Sequence, residues 1–251
     1  MTMIFSGATS CLIVMSVDSV ERKDYGDGPA YDNDVRKSYI YEGVGCVTTW
    51  GARDGNRIGF FLEEQLISPQ NHSVVELARL VEHYLKNEFK PQEIGLHDVG
   101  YHIGGFDRDS TPRLFHTFWL ASGSQYLQPG ESEKYGWQDR PIPSLLYNGR
   151  SELAHTVVTT LLQQIREGKP VNFDLEDPAD LASFGDLIAR FAAEITEDVG
   201  PPFYTMLISP TNQIFQLPNK EYCPISKDEV VKALLQLGIT DNDTAAPSSA
   251  N

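Results

Sequence analysis

Apolar side chains in this chain recur at two periods, and the switches between them divide it into strands and helices. Residues 2–6 and 11–17 are short runs of β-branched and apolar residues around Gly7-Ala8-Thr9-Ser10, the pattern of an opening hairpin. Residues 21–34 are charged, rich in Gly, Asp and Tyr and without a period, so a loop is expected there. Strand composition returns over residues 38–49 and is broken by Gly51-Ala52-Arg53-Asp54-Gly55. Ser73-Val74-Val75-Glu76 reads as a capping box. Behind it Val74, Leu77, Leu80, Val81, Tyr84 and Leu85 recur at helical spacing, which predicts an amphipathic helix over 74–88, closed by Pro91.

Residues 99–106 and 113–120 alternate apolar and polar side chains about a turn at 107–112, a second hairpin. The stretch 123–143 is polar with three prolines and is expected to be a long loop. Helices are predicted over 151–167, capped by Ser151 and stopped by Gly168, and over 178–197, opened by Asp177-Pro178; the two are expected to pack as a pair. A last hairpin at 203–209 and 213–217 precedes a second capping box, Ser226 to Glu229, and a helix ending at Gly238. Residues 240–251 are small and polar, the composition of a disordered tail, which leaves one domain over 1–239. Blocks of antiparallel strands separated by helices predict an α+β protein with stacked sheets under helices, not a doubly wound parallel sheet.

Composition narrows the functional classes. With 251 residues and 41% of them hydrophobic, the chain can bury one substantial core. Twenty Lys and Arg against 35 Asp and Glu give a net charge of −15, which repels phosphate backbones and anionic lipid surfaces, so neither nucleic acid nor membrane is an expected partner. Cys11, Cys46 and Cys223 show no C-x-x-C spacing and read as reduced thiols. The opening segment lacks a basic region before its apolar run, and no run approaches the roughly 20 residues that span a bilayer, so a cytoplasmic location is expected. His97 and His102 are the nearest approach to a metal pair. Their spacing of five suits neither a helix face nor a strand face, and no metal or cofactor is expected. The aromatic cluster Phe115, Phe118 and Trp119 reads as core.

Chemistry concentrates at the amino terminus. Removal of Met1 ahead of the small Thr2 would leave a free α-amine beside a hydroxyl. A terminal amine titrates near about 7.7–8.0, so part of it is neutral at pH 7 and can take the hydroxyl proton. Asp18 ends the second strand, where it can return to the neighbourhood of Thr2; Lys37 opens the third. A lysine beside the hydroxyl would lower its pKa, an aspartate would hold the lysine, and Gly51 offers a backbone N–H to an oxyanion.

These residues resemble the proteasome β-type family of N-terminal nucleophile hydrolases, including bacterial proteasome-like peptidases. Thr2 and Asp18, in Ser16-Val17-Asp18-Ser19, keep the family's interval between threonine and aspartate, and Lys37 and Gly51 keep its interval between lysine and glycine, with a longer loop between Asp18 and Lys37. The helix at 74–88, the hairpin with Gly104-Gly105-Phe106-Asp107, and the paired helices before Glu197-Asp198-Val199-Gly200 follow in the family's order over residues 2–220. The resemblance implies a four-layer αββα sandwich. It also implies cleavage of amide bonds by Thr2 after loss of Met1, with Lys37 tuning the nucleophile, Asp18 orienting Lys37, Asp198 holding the amine and the Gly51 N–H binding the oxyanion. Assembly into rings or smaller homo-oligomers, and an ATP-dependent unfoldase or other protein partner, are implied likewise. The chain departs from the family at two serines. The Ser-Gly pair is replaced by Tyr147-Asn148-Gly149-Arg150-Ser151, and Gly200-Pro201-Pro202 stands where a serine follows the aspartate. These departures support an alternative, a catalytically silent proteasome-like scaffold or binding protein.

Overall fold

The computed structural model describes residues 3–24, 29–32, 35–52, 57–68, 72–94, 97–149, 174–197, 199–217 and 225–240, with positions 156, 159, 163 and 167. The first half contains β1 (Met3–Ala8), β2 (Ile13–Val17), β3 (Glu21–Asp24), β4 (Pro29–Asp32), β5 (Ser38–Tyr41), β6 (Gly45–Gly51), α1 (Arg57–Gln65), α2 (Val74–His83), β7 (Val99–Phe106) and β8 (Pro112–Leu120). There follow β9 (Lys134–Arg140), β10 (Ser144–Gly149), α3 (Pro178–Ile195), β11 (Tyr204–Ile208), β12 (Ile214–Gln216) and α4 (Lys227–Gln236).

Two five-stranded antiparallel sheets form the centre, ordered β10-β1-β2-β11-β12 and β5-β6-β7-β8-β9. Both faces of each sheet are covered, which explains why β1, β2 and β7 are buried at every position. Between the sheets, Ile13, Met15 and Ile208 of the first meet Cys46, Phe106 and Leu114 of the second. On the outer side of the first sheet, Phe5, Val14 and Leu207 pack under Leu181, Phe184 and Ile188 of α3 and Val230 and Leu234 of α4. On the outer side of the second, Val47, Ile103 and Phe115 receive Ile58 and Leu62 of α1 and Val74, Leu77 and Val81 of α2. Each such Leu, Val or Ile contributes roughly 1.5–3 kcal/mol by leaving water. The architecture is the expected αββα sandwich.

The helix starts follow the sequence signals. Ser73 and Ser226 each accept from the N–H of the glutamate three residues on, and Glu76 and Glu229 return a bond to the cap. Asp177 accepts from the Asp180 N–H ahead of Pro178. The helix expected over 74–88 is α-helical to His83 and ends in a π-turn, Tyr84–Glu88.

Three expectations need correction, and two elements had no counterpart in the sequence reading. The stretch 21–34 is not all loop, because β3 and β4 pair there as a separate ribbon. The single strand expected over 38–49 is a hairpin, β5 and β6, turned at Gly43 and Gly45 with φ of 79° and 153°. The long loop expected over 123–143 contains β9, where Tyr135 and Trp137 pack toward α1 and α2 while intervening positions face the other sheet. Helix α1 was not anticipated, nor was β10, which pairs with β1 from Met3↔Gly149 to Ala8↔Ser144. The helix expected over 151–167, and its pairing, lie largely outside the described residues, as does the tail beyond 240.

Candidate active site

Sheet pairing brings the end of β2 back to the start of β1. Asp18, just past β2, donates its N–H to Met3 O at 3.3 Å and receives the Met3 N–H on Oδ1 at 2.9 Å. Its Oδ2 receives the Val20 N–H at 3.1 Å. Lys37, just before β5, reaches both carboxylate oxygens with Nζ at 3.0 Å and donates as well to Val20 O. Lys37 is 2% exposed and Asp18 wholly buried. All three ammonium N–H groups therefore have acceptors within reach.

Burial pushes the Asp18 carboxyl above its ordinary value of 3.8, while the charge of Lys37 and the N–H groups of Met3 and Val20 act in the other direction. A pair like this adds little net stability, because desolvation of two charges offsets their attraction. Its value lies in fixing an ammonium beside the first strand.

Gly51 closes β6 with φ of +84°, and a Cβ there would lie 2.1 Å from Asp98 O, so only glycine fits. The next N–H, of Ala52, donates to Asp98 O at 2.7 Å, and the Thr49 N–H donates to Lys37 O at 3.0 Å. Since N–H groups alternate along a strand, that of Gly51 turns toward the Lys37 side, beyond the last bond of that ladder. The turn after α3 joins the same region, for the Ser19 N–H donates to Gly200 O at 3.4 Å.

Of the residues singled out in the sequence, Asp18 and Lys37 are thus in contact and Gly51 lies two residues past the partner of Lys37. Thr2 and Asp198 fall outside the described residues. Thr2 is still tied to the site covalently, since the Met3 nitrogen held by Asp18 is bonded to the Thr2 carbonyl carbon. The Val20 carbonyl escaped notice in the sequence, having no side-chain signal.

Other reactive groups are unsuited to nucleophilic work. Cys46 lies in the inter-sheet core, where burial pushes its thiol up to about 12. His102 is not paired with His97. It stands between the sheets, held by Ser6 Oγ at Nδ1 (2.9 Å) and Asn148 Oδ1 at Nε2 (2.7 Å), and burial lowers its pKa to about 4. Among the described residues no group of three or more His, Cys, Asp or Glu is set to hold a metal ion, and no helix is long and apolar enough to cross a membrane.

Comparison with protein-family models gives no match, and comparison with curated proteins gives none. Solved structures do match. An Anbu (Gly-1) mutant from Hyphomicrobium sp. strain MC1 superposes with a TM-score of 0.63 at 13% identity over 94% of each chain. A second Anbu structure from the same strain gives 0.57 at 12% identity over 93% of this chain and 94% of that one. Anbu from Yersinia bercovieri, described as an ancestral beta-subunit, gives 0.55 at 13% identity over 99% of each. At such identities the likeness is one of fold, and the fold is the proteasome-like sandwich of the Anbu proteins.

Proposed function

We propose that the chain is an N-terminal nucleophile hydrolase of the threonine type, cleaving amide bonds after removal of Met1. The observation that carries this reading is the buried Lys37–Asp18 pair, anchored at 2.9 Å on the nitrogen that follows Thr2. A buried ammonium has no structural need to sit at the first peptide of a strand, and a threonine nucleophile needs a cation there.

In the proposed reaction the Thr2 amine takes the hydroxyl proton as Oγ1 attacks the amide carbon. The Gly51 N–H receives the tetrahedral oxyanion, and Lys37 favours the developing alkoxide by its charge. Collapse expels the amine with the proton held by the α-amino group and leaves an ester on Oγ1, which water then hydrolyses. Asp18 keeps Lys37 in place, and Asp198 is assigned to the α-amine. Intact mass and a Thr2→Ala variant test this together. The mature protein should lack Met1, and the variant should lose peptidase or amidase activity by several orders of magnitude. Retention of Met1, or unchanged activity in the variant, would defeat the reading.

The second reading, a silent scaffold, is favoured by Gly200-Pro201-Pro202 in the turn beside Ser19, where the family places a serine. A homo-oligomer, ring or smaller, fits both readings. It is supported by Leu187, Phe191 and Ile195, which follow one another at four-residue steps on α3 and remain 38–53% exposed. Light scattering giving a monomer mass at working concentration would remove it.

A further inference from the structure

Between the sheets, where β8 and β9 face β10, lies a cavity of about 200 Å³. It has the chemistry of a ligand site and takes no part in the proposed hydrolysis. It is lined by the aromatic rings of Trp50, Phe118 and Tyr126 and by two cations, the half-buried Arg140 and the exposed Lys134.

Two glycines make the space. A Cβ at Gly100 would meet the Trp50 ring at 2.4 Å, and one at Gly136 would meet Phe118 at 2.1 Å, so each ring lies where a side chain would otherwise stand. Trp50 is then fixed by its Nε1–H, which donates to His116 Nε2 at 3.2 Å, and by an edge contact with Tyr126 at 5.9 Å. The Tyr126 hydroxyl is tied to Gly149 O at 3.2 Å. The aromatic walls are preformed.

The polar wall is incomplete. Arg140 Nε is buried without a hydrogen-bond partner, and among the described residues Arg140 forms no ion pair. Gln138 Oε1 is also without one; it lies across the ladder from His116 and favours the charged ring, yet makes no bond of proper geometry. The Arg140 side chain as a whole is half-buried and lines the cavity, so its guanidinium, with no ion pair among the described residues to give up, is available to an anionic acceptor there. Both nearby imidazoles are kept neutral, His102 near 4 and His116 well below its ordinary value, by burial first and with the charge of Arg140 contributing. Arg140, half-buried, is thus the cation at the wall. No carboxylate among the described residues lines the cavity, in a chain whose net charge is −15. The volume is several times the ~30 Å³ share of a water and below the ~300–1,000 Å³ of drug-sized sites, which limits an occupant to one or two fused rings.

We propose that this cavity binds a small aromatic monocarboxylate, with the carboxylate received by Arg140 and the ring held among Trp50, Phe118 and Tyr126. The site stands independently of the hydrolase reading. Calorimetric titration of the full chain with indole-3-carboxylate and its uncharged carboxamide tests it, with the Trp50 indole resonance followed by NMR. The acid should bind saturably at one site, at least tenfold more tightly than the amide, and should shift the Trp50 indole signal. Arg140→Met should weaken the acid at least tenfold and leave the amide unchanged. Equal affinities for acid and amide, no binding of either, or undiminished binding by Arg140→Met would overturn the proposal. If that variant does not fold, the acid–amide comparison on the unaltered chain still decides it.

Discussion

Replacing Lys37 by methionine removes the charge while keeping most of the side-chain volume, and its consequences follow from the partners described above. Asp18 would keep the N–H groups of Met3 and Val20 but lose the ionic partner it has among the described residues, and Val20 O would lose a donor. Breaking a buried pair on one side costs about 3–5 kcal/mol, because the surviving charge remains desolvated. With a urea m-value of about 2–3 kcal/mol/M for a domain this size, the unfolding midpoint should fall by about 1–2.5 M at pH 7.5. The deficit should also depend on pH in a fixed direction. Burial already raises the Asp18 pKa above 3.8, and removing the cation raises it further. A carboxyl with a raised folded-state pKa is most favourable to folding below its unfolded value, and that contribution is lost as pH rises through the folded value. The variant should therefore be weakest relative to the parent at high pH and recover part of the loss toward pH 5. Urea unfolding of both proteins at pH 7.5 and 5.5 gives the answer. A midpoint shift below about 0.3 M, or a deficit that widens on acidification, would refute the reasoning.

Gly51→Ala should cost at least about 2 kcal/mol, from a strained positive φ and a Cβ driven onto Asp98 O, and should lower the thermal midpoint even if activity is never assayed. Asn212→Ala should cost roughly 2–4 kcal/mol in denaturant unfolding. Its amide exchanges two buried bonds of 2.7 Å with the backbone of Phe106 and so ties the β11–β12 turn to the opposite sheet. Because His102 falls from 6.5 to about 4 in the folded protein, the unfolded chain binds more protons between those values. Stability present above pH 6.5 should thus be lost as pH falls toward 4, by on the order of 3 kcal/mol. His116, also lowered by burial, contributes a loss of the same sign, and Asp18 acts in the opposite sense near the bottom of that window, so the check is His102→Gln, which should reduce the acid loss between pH 7 and 4.5 and leave the part due to His116.

Local rules carried the sequence reading where signals were local. The capping boxes at Ser73 and Ser226 and the Asp177-Pro178 start located three helices, and the run at 11–17 located β2. Failures occurred where tertiary context decides. The stretch 134–140 carries aromatics at only two positions, and its polar residues Gln138 and Arg140 are half-buried beside Asn148 of β10, a neighbour brought in only by the tertiary fold. Helix α1 presents exposed Phe60 and Ile67 nearby, which blurs its stripe of Ile58 and Leu62. For the candidate site, strand pairing anticipated that Asp18 would return to the start of β1, since a hairpin brings the end of its second strand back to the start of the first; that Lys37, just before a strand of the other sheet, meets Asp18 was implied by the family resemblance. The inter-sheet cluster of Ser6, His102, His116 and Asn148 was not legible, because its members lie on four strands of two sheets and meet only through register.

The central claim is that Thr2, freed of Met1 and served by Lys37, is a nucleophile. Its most direct test is covalent trapping of the mature protein with a threonine-directed electrophile, followed by mass mapping of the adduct. A single adduct on an amino-terminal Thr2, abolished in Lys37→Met protein shown to be folded, is the predicted result. An adduct on any other residue, or an amino terminus that still carries Met1, would contradict it.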